Sequence, residues 1–165
     1  AEYANYSSDL TRTIPVNGKF TERQKQIYNA VLDMKNFATS LLVPGNNWYD
    51  YHKECGDFYT SKFLELGLLD KADVQNEDKN WPAYKKYMMH GTSHHMGLDT
   101  HDYGILSDKF VENMVFTVEP GIYLPAEGFG IRIEDDVVIQ KSGEPFNLMK
   151  NIPIEVEEIE ELMNS

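Results

Sequence analysis

The segment HGTSHHMGLDTHD, residues 90–102, holds four of the chain's five histidines, interleaved with carboxylates and hydroxyl residues. A chain this poor in histidine that gathers His90, His94, His95 and His101 in one place is set up for imidazole chemistry. Three acidic residues elsewhere bear on which chemistry that is. Glu119 closes the apolar run MVFTVEPGIYL just before Pro-Gly, a turn that re-aims the chain. Glu134 lies two residues after Arg132 in GIRIEDDVVI, so strand alternation points both side chains the same way. Asp9 stands on the polar face of the opening segment. Carboxylates from separate strands together with imidazoles are the donor set that a hard or borderline divalent metal takes. Singly, each carboxylate also reads as a solvated charge: Asp9 beside Arg12, or Glu134 beside Arg132, would make a surface ion pair worth little. The histidine cluster has no comparably plain reading. No cysteines accompany it as in a zinc finger, and no H-E-x-x-H helix is present. Ser93 lacks the surroundings of a nucleophile elbow. A metal site is the reading that remains.

The elements that must position these groups are legible in outline. Residues 1–14 alternate like a strand, with Tyr3, Asn5, Ser7, Asp9, Thr11 and Thr13 on one face and Ala4, Tyr6, Ser8, Leu10, Arg12 and Ile14 on the other. After PVNG, a helix is predicted over 21–42, opened by a Thr21/Gln24 capping box and carrying the stripe Ile27, Val31, Met34, Ala38, Leu41. A second helix is predicted over 50–66 with Cys55, Tyr59, Phe63 and Leu66 inward, then a polar loop over 70–86. Strands follow at 114–124 and 130–139, and a short tail helix after Pro153 carries Val156, Ile159 and Leu162 on one side. Strand, helix, helix, strands, helix implies an α+β class with a curved antiparallel sheet and no internal repeat.

Composition narrows the functional classes. With 165 residues the chain fits one domain, and 15 Lys+Arg against 27 Asp+Glu give a net charge of −12. That balance disfavours nucleic acid and anionic membranes and suits a protein that holds cations. No apolar run reaches the length of a membrane span. The lone Cys55 cannot form an internal disulfide and reads as a buried helix residue, so a cytoplasmic location is expected.

In order along the chain, SSDLTRTIPVNGKFT, HGTSHHMGLDTHD, MVFTVEPGIYL and GIRIEDDVVI resemble the catalytic domain of the Xaa-Pro aminopeptidases, the aminopeptidase P and prolidase branch of the pita-bread metallopeptidases. The likeness runs from residue 1 to about residue 163. It implies the pita-bread (creatinase/aminopeptidase) fold and places residues 1–165 in the C-terminal portion of the catalytic domain, with an N-terminal domain and the first part of the catalytic fold absent. It implies that Asp9 and Glu134 bridge two divalent metals while His94 and Glu119 complete the shell of one. His90 and His101 would contact substrate and stabilise the tetrahedral intermediate, with Tyr123 and Arg132 as supporting groups. His95, where some relatives carry an aromatic residue, is expected to pack. The reaction implied is hydrolysis of the bond before a proline in the second position of a peptide, by a water held between metals roughly 3.5–4 Å apart. One metal with His101 or His90 would stabilise the oxyanion, and Glu119 would shuttle the proton. Oxygen-rich ligation with one imidazole favours manganese, with cobalt, iron or zinc as alternatives.

The family's pattern has a further aspartate eleven residues before the position of Asp9, upstream of Ala1, so one metal site is expected to be weakened and the chain by itself impaired. Prolidase action on Xaa-Pro dipeptides is an alternative specificity, and a homo-oligomer is compatible with the pattern. Creatinase is disfavoured because it lacks the carboxylate set. A non-catalytic peptide-binding module is disfavoured because such modules usually lose ligands and none is lost within residues 1–165.

Overall fold

The computed structural model describes residues 1–165. Helix α1 (Glu22–Ser40) starts where the sequence says it should: Thr21 Oγ1 accepts from the Gln24 amide at 3.2 Å, and Gln24 Oε1 accepts from the Thr21 amide at 2.9 Å. Ile27, Val31, Met34 and Ala38 are buried along one face, and Leu41 is half-buried at the cap. Helix α2 (Trp48–Glu65) begins two residues earlier than expected because Asn47 caps it, accepting from the Tyr49 and Asp50 amides. Cys55, Tyr59 and Phe63 face the core as predicted, whereas Leu66 is only half-buried beyond the helix end.

The opening segment differs from the single strand its alternation suggested. Strands β1 (Glu2–Tyr3) and β2 (Tyr6–Ser7) fold on each other across a two-residue turn in which Ala4 and Asn5 take φ of 51° and 68°. Asn tolerates that left-handed conformation well, which alternation does not reveal. From Asp9 onward the chain is extended and runs antiparallel to residues 132–136, with Thr11 bridged to Glu134. The predicted 70–86 loop contains a one-turn helix, α3 (Lys71–Gln75), held by an Asp70/Asp73 capping box and burying nothing, so no apolar period marks it.

Each of the two predicted long strands is broken in the middle. The first divides into β3 (Val115–Val118) and β4 (Gly121–Leu124), the second into β5 (Phe129–Arg132) and β6 (Asp135–Val138). Both pairings are antiparallel: Val118 opposes Asp135 and Gly121 opposes Arg132. The breaks at Glu119–Pro120 and Ile133–Glu134 therefore face each other, and the ribbon bends there as a unit. Pro120 has no amide to give to a ladder, which is a sufficient local cause. Instead of one continuous sheet, the chain forms the ladders β3–β6–β7 and β4–β5, with the short β7 (Phe146–Asn147) unanticipated by the sequence.

Helix α1 packs on β3, β4 and β5, and α2 packs against α1. Ile131, Ile133, Asp135, Val137 and Ile139 are all buried, as alternation predicted for one face. The charge among them is met: Asp135 is bound by Lys35 Nζ at 2.5 Å and Arg12 Nη2 at 2.7 Å, and Asn147 Nδ2 donates to it at 2.7 Å. Helix α4 (Val156–Met163) buries Val156 and Ile159. Leu162, placed on the same side by the sequence, is 60% exposed: the helix docks through its first turn and its end through Asn164, whose amide donates to the Gly18 carbonyl. No helix is long and apolar enough to cross a membrane.

Candidate metal centre

The bend places Glu119 and Glu134 side by side, each just outside a ladder. The extended Asp9–Thr13 segment lies along Glu134, and the histidine segment crosses β3, with His95 bridged to Phe116. Two sets of donor atoms result, each lying within 4.8 Å of one another: Asp9, His94 and His101, and His94, Glu119 and Glu134. Residues drawn from three distant parts of the sequence thus converge on His94.

The His94 ring is fixed in one sense. Its Nδ1 lies 3.0 Å from the His95 carbonyl, which can only accept, so Nδ1 carries the proton. In the neutral ring the Nε2 lone pair then faces Asp9 Oδ2 at 3.8 Å and Glu119 Oε1 at 3.7 Å. Lone pair against carboxylate is an arrangement that a cation between them would satisfy. Crowded negative charge gives the same indication. Burial, then Glu134, raise the Glu119 pKa to about 7, against the opposing pull of Arg132. Burial also raises Glu134, although its Oε2 accepts from Thr11 Oγ1 at 2.6 Å. The donor set fits a divalent ion in both atom type and charge.

Beside it runs a second line of contacts. His90 Nδ1 lies 2.8 Å from the Gly91 carbonyl, so its proton sits there, and burial keeps the ring's pKa below the usual value. His90 Nε2 therefore accepts from Tyr123 Oη, 2.7 Å away. Arg132 lies near Tyr123; burial opposes its charge, but Tyr123, Glu134 and Glu119 favour it. Arg132 Nε donates to Thr11 Oγ1 at 3.1 Å, which returns the chain of contacts to Glu134. The Tyr123 ring is seated over two glycines: a Cβ on Gly121 would lie 2.8 Å from Tyr123 Oη, and one on Gly130 2.7 Å from Cδ1. His101 is exposed, its ring centroid 4.4 Å from that of His94 and perpendicular to it. His95 packs as expected, accepting from Trp48 Nε1 at 3.2 Å and lying against Phe116.

Every residue the sequence singled out lies at this locus, but sequence reading passed over several that hold it. Thr11 links Arg132 to Glu134, and its position two residues from Asp9 on the same face was the available signal. Thr117 Oγ1 accepts from the His94 amide at 3.1 Å. Asp136 is fully buried and accepts from the Asp9 amide at 3.0 Å, while its Oδ1 has no partner; burial raises its pKa to about 7. Alternation puts Asp136 on the face of Arg132 and Glu134 and Asp135 on the opposite, helix-facing side, but nothing in the sequence marks Asp136 as buried beneath the donors. A cavity of about 560 Å³, lined by Tyr6, Met96, Tyr103, Ile105 and Leu148 among others, includes none of the five converging donors.

Comparison with known proteins agrees with this geometry. The chain is 41% identical to the Xaa-Pro aminopeptidase of Haemophilus influenzae, over 99% of this chain and 40% of that protein, and 41% identical to that of Escherichia coli, over 98% and 39%. The Homo sapiens protein Xaa-Pro aminopeptidase 3 is 35% identical over 98% of this chain and 33% of its own length. The chain thus spans about two fifths or less of these relatives. Among solved structures, a putative aminopeptidase P from Bacillus anthracis superposes with a TM-score of 0.85 at 41% identity, covering 97% of this chain and 36% of that one. Zinc-substituted E. coli aminopeptidase P in complex with product gives 0.85 at 38% identity, covering 99% and 39%. The mixed helix-and-sheet architecture is therefore the pita-bread arrangement of these enzymes. A family model for "Metallopeptidase family M24" matches residues 1–141, which takes in the whole donor set, and the chain belongs to that family.

Proposed function

We propose that this chain carries the metal-binding part of an Xaa-Pro aminopeptidase, with Asp9, His94, Glu119 and Glu134 as the ligands. The observation that carries the reading is the position of the His94 ring, Nδ1 on the His95 carbonyl and Nε2 turned onto the carboxylates of Asp9 and Glu119 at 3.8 and 3.7 Å. Asp9 and Glu134 would be shared between two divalent ions, with His94 and Glu119 completing the set, and the oxygen-rich donors favour manganese. Bound divalent ions supply Lewis acidity, polarising a carbonyl and lowering the pKa of water.

The chain's own groups do the rest. Glu119, at the rim of the donor set, carries the proton to the departing proline nitrogen. His90 is neutral and held by Tyr123, so its face and edge are fixed for a peptide entering beside the donors. His101, exposed beside His94, reaches the substrate carbonyl oxygen and stabilises developing negative charge there. Arg132 keeps Tyr123 and Thr11 in place, and through Thr11 orients Glu134.

Relatives named Xaa-Pro aminopeptidase support peptides with proline in the second position as the substrates of the whole enzyme. Four protein ligands are few for two ions, so this stretch alone is expected to retain one ion and to turn over poorly. A cytoplasmic, homo-oligomeric enzyme is consistent with the acidic charge and the single buried thiol.

Calorimetric titration with Mn²⁺ tests the reading. About one ion per chain is expected, with binding abolished by Glu134→Ala and by His94→Ala. Stoichiometric binding that survives both substitutions would refute the ligand assignment.

A further inference from the structure

Helix α2 sends two tyrosine hydroxyls to the extended segment that carries His94. Tyr51 and Tyr59 are both buried, at 0% and 1% exposure, and stand eight residues apart, about 12 Å along the helix. Tyr51 Oη lies 2.6 Å from Ser93 Oγ, and Tyr59 Oη donates to Thr92 Oγ1 at 3.0 Å. Between them on the helix, the Cys55 thiol lies against both hydroxyls. Thr92 and Ser93 are the two residues before His94. The Thr92 carbonyl accepts from the Glu119 amide at 2.8 Å, and the His94 carbonyl accepts from the Thr117 amide at 3.1 Å. The peptide grasped by the two tyrosines thus bonds directly to the backbone of one proposed ligand and runs into the other.

We infer that Tyr51 and Tyr59 are positioning residues of the metal centre, acting through Ser93 and Thr92 to set the separation of His94 and Glu119. The inference rests on the ligand assignment above. Phenyl and methyl groups would fill the same space without burying four hydroxyls. Hydroxyls are directional: each fixes the height of the segment along α2, whereas apolar packing alone would tolerate sliding. His94 Nε2 and Glu119 Oε1 stand 3.7 Å apart on neighbouring extended segments, so a slide of one segment against the other changes the donor geometry directly.

The test removes both partners of each bond, so that no buried hydroxyl is orphaned and folding is disturbed little. The variants are Tyr51→Phe with Ser93→Ala, and Tyr59→Phe with Thr92→Val, compared with the unaltered chain. Three readouts are taken: urea midpoint, Co²⁺ affinity with its visible absorption spectrum, and hydrogen exchange at the His94 and Glu119 amides. Loss of one positioning bond is expected to weaken Co²⁺ binding about fivefold and to change the shape of the spectrum, while the midpoint holds. Exchange at His94 and Glu119 should quicken at least as much, with the α2 amides unaffected. Unchanged affinity and spectrum in both variants would overturn the inference, as would metal binding that weakens only in step with the midpoint. If the unaltered chain takes up no Co²⁺, the ligand assignment itself fails. Exchange then decides the positioning claim: selective quickening at the two amides upholds it and unchanged exchange refutes it.

Discussion

Asp135 is the group whose removal should disturb this protein most. Its side chain is 1% exposed and is met by Lys35 from α1, Arg12 from the segment carrying Asp9, and Asn147 from β7. Arg12 also donates to the carbonyls of Thr11, Glu134 and Pro153, so one guanidinium ties the Asp9 segment, β6 and the approach to α4 together. In Asp135→Asn the cationic partners remain buried, Lys35 at 6% side-chain exposure and Arg12 at 11%, without the charge that compensates them. Breaking a buried pair in this way costs about 3–5 kcal/mol. With a urea slope of about 2 kcal/mol/M, the midpoint should fall by about 2 M. Lys35→Met alone should cost less, because Arg12 still pairs Asp135. Lys35→Met with Asp135→Leu should recover part of the loss, since it removes the unpaired Lys35 charge while Arg12 keeps the three carbonyls it donates to. The pH dependence follows the same logic. Burial alone would raise the Asp135 pKa, but Lys35 and Arg12 outweigh it and hold the group below its ordinary value. Its contribution is therefore complete above about pH 4, the unfolded pKa, and is lost as pH falls below that. Equilibrium urea unfolding at pH 7 and pH 3 reads both effects. A midpoint loss in Asp135→Asn corresponding to less than about 1 kcal/mol at pH 7 would refute the reasoning, because it would mean water reaches the cluster.

Two further predictions concern the centre itself. Glu119 has a folded pKa of about 7, above its unfolded value of about 4.5, so without metal its ionisation destabilises the fold progressively as pH rises between those values. Glu119→Gln should accordingly stabilise the metal-free chain by about 1–3 kcal/mol at pH 8 and hardly at all at pH 4, read by urea unfolding at the two pH values. Equal effects at both would contradict the charge crowding described here. Gly121→Ala should drive Tyr123 off its seat, since the new Cβ would lie 2.8 Å from Tyr123 Oη. Proton NMR of His90 should then show its pKa rising towards the ordinary histidine value as water reaches the ring, at a stability cost of about 1–3 kcal/mol. An unmoved His90 titration would show that the tyrosine does not shield it.

The sequence by itself determined what local physics controls. Capping residues and the 3.6-residue stripe marked α1 to within a residue at its start, since Thr21 and Gln24 interact with their own turn. Strand alternation put Arg132 with Glu134 on one face and Ile131, Ile133, Asp135, Val137 and Ile139 on the other, and the structure buries those five. The order of the motifs was enough to imply the pita-bread architecture. The turn at Glu119–Pro120 was legible from Pro-Gly, but only the tertiary structure decided that the second long strand breaks at Ile133–Glu134, opposite it across the ladder. The Ala4–Asn5 turn likewise escaped an alternation pattern that is blind to backbone sign. Leu162 followed the helical period yet faces solvent, since a period identifies a face and not whether anything packs along its whole length. Thr11, Asp136, and the tyrosines that hold Thr92 and Ser93 are ordinary residue types at unremarkable spacings. Their importance comes from partners 33 to 127 positions away, and no one-dimensional pattern encodes a contact of that range.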